Sequence, residues 1–164
     1  MIRSATAADA QALCDIYNPF ILQSTVTFEE AAITSGDMAA RVGAYAGRLP
    51  FLVAELDGAV AGYAYAAPWK SRSAYRHTVE SSVYVAPGYT GMGLGSRLYQ
   101  ALLQDLRERD VHAVLAGIAL PNSASIGLHE AFGFSKVGQM REVGRKFGQW
   151  LDVGYWQLLL APQP

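Results

Sequence analysis

The chain has 164 residues, 51% of them hydrophobic and 16% charged, with a net charge of −1. That length suits one domain with a core of ordinary size, here read as residues 1–164, and the balanced charge gives no basic footprint for nucleic acid. No apolar run approaches the ~18 residues that cross a bilayer, Met1-Ile2-Arg3-Ser4 opens no apolar signal segment, and the lone Cys14 has no disulfide partner, so no membrane association is expected and the cytoplasm is the expected compartment.

In chain order, Ile2-Arg3 begins a short strand. Thr6-Ala7-Ala8-Asp9 has the form of a helix N-cap with an acidic N3 residue, and Leu13, Ile16, Tyr17, Phe20 and Ile21 follow at helical spacing. Cys14 falls among them and reads as a small buried hydrophobe. A second helix is expected within Asp37–Gly47. Phe51–Glu55 and Val60–Ala66 form a hairpin around Asp57-Gly58, a dipeptide suited to a two-residue turn. Thr78–Val85 is a strand, and Leu94, Leu98, Leu102 and Leu106 mark the apolar stripe of a long helix. Ala113–Ala119 reads as a strand, Ser123–Ala131 as a helix, and Phe134–Met140 and Val153–Leu160 as two closing strands, with a loose tail over Ala161–Pro164. His77 and His112 have no ligand partners at metal-binding spacing, so no metal site is expected. His112 falls at a helix–strand junction.

The segment from Val83 to Leu98 runs strand, glycine turn, helix. Gly91, Gly93 and Gly95 let successive N–H groups converge, and the helix adds its unpaired N-terminal donors and the positive end of its dipole. Such a loop can cradle a pyrophosphate or can simply pack a helix on a sheet. It is not a P-loop, because Ser96-Arg97 follows Gly95 where Lys-Ser/Thr is required. Nor is it a dinucleotide fingerprint: the spacing is GxGxG, and the next strand ends in Leu120-Pro121 instead of an acidic residue. Downstream, Asn122 is a good N-cap and Gly133 a good helix stop. Asn122, Ser125 and His129 share one face, either as a cap with two surface polar groups or as the lining of a groove.

Thr90-Gly91-Met92-Gly93-Leu94-Gly95 resembles the acyl-CoA loop of the GCN5-related N-acetyltransferases, with Thr90 where the family usually has Arg or Gln. Asn122 to Phe134 resembles that family's second acetyl-CoA motif, Asn-x-x-Ser-x-x-Leu-Tyr-x-x-x-Gly-Phe, with His129 at the tyrosine position. The resemblance implies an α/β fold: a seven-stranded, mixed and mostly antiparallel sheet, flanked by about four helices, whose central strands splay to admit the pantetheine arm. It also implies acetyl-CoA as co-substrate, in contact with Val83, Tyr84, Val85, Gly91, Met92, Gly93, Leu94, Gly95, Ser96, Asn122 and Ser125. Ser24–Glu29, Tyr75–Val85, Leu128-His129-Glu130 and Lys146–Asp152 are similar to the phosphinothricin and methionine sulfoximine branch, whose members acetylate the α-amino group of amino acid analogues and are often dimers.

An amine attacks a thioester only when neutral, and an α-amino group has a pKa of roughly 8. A carboxylate in the cleft can take its proton, and Glu80, on the strand leading into the loop, is the candidate base. A backbone N–H near Val85 is the candidate oxyanion donor. His129 is expected beside the thioester sulfur, as proton donor or as positioning group. For the amino acid, Lys70, Arg72 and Arg76, with Ser73, Ala74 and Tyr75 beside them, are expected to grip the carboxylate, with Phe28, Glu29, Tyr75 and Trp150 around the side chain. Two other readings stay open: acetylation of a different amine (a protein N-terminus or a polyamine), and acyl-CoA binding without turnover.

Overall fold

A computed structural model describes residues 1–160, so the tail expected over Ala161–Pro164 lies outside the described residues. β1 (Ile2–Ser4) is followed by α1 (Ala10–Gln23), α2 (Ser35–Ala44), β2 (Phe51–Leu56), β3 (Ala59–Pro68) and β4 (Thr78–Val85). Then come α3 (Leu94–Arg107), β5 (Ala113–Ala119), α4 (Ser123–Ala131), β6 (Ser135–Lys146) and β7 (Gln149–Leu159). The strands form one sheet in the order β1-β2-β3-β4-β5-β7-β6, with only β4 and β5 parallel.

Helices cover both faces. On one, α3 buries Leu94, Leu98, Leu102 and Leu106 completely, together with Tyr99 and Leu103, against Ala64, Val79, Val114, Ala116 and Trp156. Each buried leucine contributes roughly 1.5–3 kcal/mol, enough to pin the helix that carries the glycine loop at its N-terminus. On the other face α1 and α2 place Leu13, Cys14, Ile16, Tyr17, Ile21, Met38 and Val42 over Val53 and Tyr63. Asp9 ties the start of α1 to β1: its carboxylate accepts Arg3 at 2.8 and 2.9 Å and the Thr6 N–H at 2.8 Å. A 3₁₀ turn, Ala7–Asp9, intervenes between the Thr6 cap and the helix.

Several boundaries differ from the sequence expectations, and three of them have a clear physical reason. α2 starts earlier, because Thr34 and Asp37 form a capping box in which the Thr34 side chain accepts the Asp37 N–H at 3.1 Å. β6 extends to Lys146 instead of Met140, and β7 begins at Gln149 instead of Val153. β6 is exposed along almost its whole length, so it carries no alternating apolar signal. Its reversal at Phe147 (φ 51°) and Gly148 (φ 75°) repeats the positive-φ pair of Asp57 (φ 51°) and Gly58 (φ 80°) between β2 and β3.

The feature that makes a site is a fork between β4 and β5. They pair only at Thr78↔Ala113, Val79↔Val114 and Glu80↔Leu115, and then diverge. The Ala86 N–H donates to Ala61 O on β3, so in the antiparallel alternation the backbone groups of Ser81, Val83 and Val85 turn away from β3 toward β5. Across the fork, Leu120 N–H donates to Asp152 O on β7, which turns Leu115, Gly117 and Ala119 toward β4.

Candidate active site

The fork opens into a cavity of about 310 Å³ bounded by Ser81 to Val85 on β4, Ala116 to Ala119 on β5, and Asn122, Ser125 and His129 on α4. A groove lined by Gly91, Gly93, Leu94, Gly95 and Ser96 faces Ala124, Gly127 and Ala131 of α4, and shares Val85, Thr90, Gly95 and Leu128 with the cavity. Gly91 (φ 76°) and Gly93 (φ 70°) are left-handed, a conformation that side-chain-bearing residues adopt at a cost. Gly93 caps α3, and the first backbone bond of the helix runs from Arg97 N–H to Gly93 O. The N–H groups of Leu94, Gly95 and Ser96 therefore have no helical acceptor. Thr90 turns inward on its own loop, its hydroxyl donating to Pro87 O at 3.0 Å. Met92 is exposed and lines neither cavity nor groove.

On α4 the Asn122 Oδ1 accepts the Ser125 N–H at 3.1 Å, leaving its amide N–H₂ free. His129 is buried, its ring edge-on to Tyr99 (4.9 Å between centroids) and Phe134 (5.2 Å). Its Nδ1 lies 2.7 Å from the Ser125 carbonyl oxygen, which can only accept, so Nδ1 carries the hydrogen. Nε2 is then a bare acceptor, buried and without a hydrogen-bond partner among the described residues. Burial holds the imidazole below its ordinary pKa and so keeps it neutral. Tyr99 reaches from α3 to the base of the fork, where its hydroxyl meets Ser81 Oγ at 2.6 Å; Ser81 in turn donates to Leu115 O at 3.3 Å.

Glu80 is the last β4 residue paired with β5, and its half-buried side chain lies on the sheet face opposite α3. Burial lifts its pKa above the ordinary carboxylate value, with Lys70 and the Gly117 N–H pulling the other way. On that face a second cavity, about 570 Å³, is lined by Trp69, Lys70, Tyr75, Leu115, Met140 and Tyr155. Leu115 is paired with Glu80, while Ser81, Ser82 and Gly117 beside it line the first cavity. Glu80 lines neither cavity itself; it sits on the closed rung between their linings.

The expected substrate residues are distributed more widely. Tyr75 packs edge-on to Trp69 (5.3 Å) in the second cavity. Arg72, Ser73 and Arg76 line a separate basic groove with Arg48 and Arg109, reached past Lys70 and Thr78, which border both spaces. Ala74 is exposed in the short turn Ser73–Tyr75. Glu29 is engaged: Arg41 donates to both carboxylate oxygens, at 3.0 and 2.5 Å, and the Tyr17 hydroxyl donates at 2.5 Å. Phe28 lies against Gly144 of β6, where no Cβ would fit, and the buried Lys146 donates to Thr27 O at 2.7 Å. Those two contacts clasp the loop between α1 and α2 to the β6–β7 hairpin, and Val26 of that loop borders the first cavity. Sequence reasoning does not single out Trp69, Gly117 or Tyr155; of these only Gly117, a lone glycine inside an apolar strand, carries a sequence signal of close approach.

A profile of the GNAT acetyltransferase domain matches residues 2–154. The chain belongs to the GNAT acetyltransferase family. It is 48% identical over 156 residues to a phosphinothricin N-acetyltransferase of Streptomyces viridochromogenes, covering 95% of this chain and 85% of that one. It is 40% identical over 163 residues to the L-methionine sulfoximine/L-methionine sulfone acetyltransferase of Salmonella typhimurium, covering 97% and 94%. The solved structure of yncA from Salmonella typhimurium with its cofactor acetyl-CoA superposes with a TM-score of 0.95 at 39% identity, covering 100% of this chain and 95% of that one. The seven-stranded mixed sheet with four helices is the GNAT fold, as the glycine loop and the α4 motif imply.

Proposed function

We propose that this GNAT protein transfers acetyl from acetyl-CoA to the α-amino group of a small amino acid analogue of the phosphinothricin or methionine sulfoximine type, by direct attack in a ternary complex. The observation that carries this reading is the position of Glu80, a partly desolvated carboxylate between a backbone-lined cleft and an aromatic cavity. The similarity to the two enzymes above supports the acetyl acceptor class.

Bound acetyl-CoA supplies the thioester that accepts the amine. We assign the left-handed Gly91–Gly93 turn and the free N–H groups of Leu94, Gly95 and Ser96 to its pyrophosphate. The fork-facing backbone of Val83, the Val85 carbonyl and the Asn122 amide are assigned to the pantetheine amides. Glu80 takes one proton from the substrate ammonium, directly or through a water, and releases it to solvent after turnover. The Val85 N–H, turned into the fork, donates to the oxyanion that develops on the carbonyl. The amine's second proton leaves with the thiolate or to solvent; the tautomer of His129 makes that residue an acceptor at neutral pH, a positioning group instead of an acid. Lys70, beside Trp69 and Tyr75, and Arg72 and Arg76 farther along the same loop offer cations for the carboxylate.

Thiol release from acetyl-CoA, measured across methionine sulfone, methionine sulfoximine, phosphinothricin, the common amino acids, polyamines and peptides, tests the assignment. Turnover is expected with the first three and not with polyamines or peptides; tight acetyl-CoA binding with no thiol release from any amine would overturn it. We also propose a homodimer that covers the β6–β7 hairpin, where Val137, Met140, Val143, Phe147 and Trp150 are each more than half exposed. Light scattering of the eluting protein measures its mass, and a monomer would refute that part.

A further inference from the structure

Gly117 interrupts the apolar run Ala113-Val114-Leu115-Ala116-Gly117-Ile118-Ala119. A glycine within a strand forgoes packing and stiffness, so its place in the fork calls for a reason. Two observations supply one. Its backbone turns toward β4 at a point where β4 has already diverged, so no strand partner takes its N–H, which lies on the side of the Glu80 carboxylate and favours its charged form. A Cβ built on Gly117 would fall 2.9 Å from Glu80 Oε1, with the Tyr155 ring at 3.3 and 3.5 Å.

We propose that Gly117 is a positioning residue for the acetyl transfer: its bare α-carbon admits the Glu80 carboxylate to the mouth of the fork, and its N–H aims that carboxylate at the amine. The inference rests on Glu80 as the base. The first atom that a Cβ would displace is the far end of a flexible side chain, so alanine moves the carboxylate and leaves the sheet register in place. The groups facing the carboxylate are Lys70 after β3, Tyr65 of β3 and Tyr155 of β7, and none of them repeats the directional N–H.

Gly117→Ala should therefore fold and keep its acetyl-CoA affinity within about twofold. A misplacement near 1 Å at a reacting group costs up to about 10²-fold, so kcat should fall roughly 10- to 10²-fold. In the Glu80→Gln background the same substitution should add nothing, because the group it displaces is no longer a base. A wild-type kcat in folded Gly117→Ala overturns the proposal, as does an equal further loss in the Glu80→Gln background. A measurement on the unmodified protein guards against a variant that does not fold. The Gly117 amide proton resonance should follow the titration of Glu80 and lose that pH dependence in Glu80→Gln; an amide that ignores pH in the wild-type protein refutes the contact. The two premises separate cleanly. A wild-type rate in Glu80→Gln removes the base, whereas a silent Gly117 amide removes the positioning.

Discussion

Replacing His129 by phenylalanine should make the protein more stable and less active. The imidazole donates Nδ1–H to the Ser125 carbonyl and leaves Nε2 buried without a partner. A buried, unsatisfied acceptor costs roughly 1–3 kcal/mol, while the bond lost with Nδ1 is worth about 0.5–1.5 kcal/mol. Phenylalanine keeps the edge-on packing against Tyr99 and Phe134 and adds no polar atom. The balance runs from about −0.5 to +2.5 kcal/mol, centred on a gain of about 1 kcal/mol, and each kcal/mol is worth about 2–4 °C in Tm for a chain of this size. The gain should widen on acidification. Burial holds the His129 pKa below its unfolded value of about 6.5, so the wild-type protein loses stability as pH falls through that value and the variant does not. Thermal unfolding at pH 7.5 and 5.5 reads both effects, and steady-state thiol release reads the fall in turnover. A variant destabilised by more than about 1 kcal/mol at pH 7.5 would refute the unsatisfied-acceptor argument. A variant as fast as wild type, with acetyl-CoA bound normally, would make His129 structural.

Glu80→Gln should lower kcat by roughly 10²- to 10⁴-fold with acetyl-CoA affinity retained. Because burial raises the Glu80 pKa, its ionised form costs stability above that pKa and nothing below the unfolded value of about 4.3; the Gln variant should therefore unfold at higher temperature near neutral pH, and a lower Tm would contradict this. Gly93→Val meets no protein atom within 4 Å but must adopt φ near 70°, so unfolding should register a strain of about 1–3 kcal/mol while acetyl-CoA affinity falls by more than that. Unchanged affinity in calorimetry of the folded variant would reject the loop assignment. Asp9, held near pKa 2 chiefly by Arg3, should lend stability that is complete above its unfolded value of about 3.9 and is lost toward pH 2. In Asp9→Asn that part of the acid dependence should vanish, and an unaltered acid limb in urea titrations would count against the pair.

What the sequence disclosed depended on whether a residue's role is local. The Asp57-Gly58 turn, the leucine stripe of α3 and the Asn122 cap follow from a few neighbouring residues, and all three are present. The glycine loop was legible as well, since positive φ at Gly91 and Gly93 is a backbone demand that only the glycines announce. β6 was cut short because nothing covers it among the described residues, and an uncovered strand has no reason to alternate. The basic loop illustrates the opposite difficulty. Arg72, Tyr75 and Arg76 are neighbours in sequence, but the turn Ser73–Tyr75 sends the two arginines to one groove and the tyrosine to another cavity. The tautomer of His129 was equally out of reach, because it follows from a 2.7 Å contact to a carbonyl.

The fork also gives a physical reason for placing the proposed chemistry at Glu80. Along β4 the side chains alternate, so Val79, Ser81, Val83 and Val85 face α3 while Glu80, Ser82 and Tyr84 face the other layer. In an unbroken sheet the two sets would never meet, and a base on one face could not serve a carbonyl bound on the other. Divergence begins immediately after Glu80↔Leu115, which leaves the carboxylate at the last closed rung and unpaired backbone directly beyond it. The Ser81–Tyr99 bond and the Ser81 bond to Leu115 O satisfy the polar groups exposed at that rung, so the opening costs the core no buried orphan there. The divergence of this one parallel pair is thus what would let two opposite faces share the proposed reaction centre.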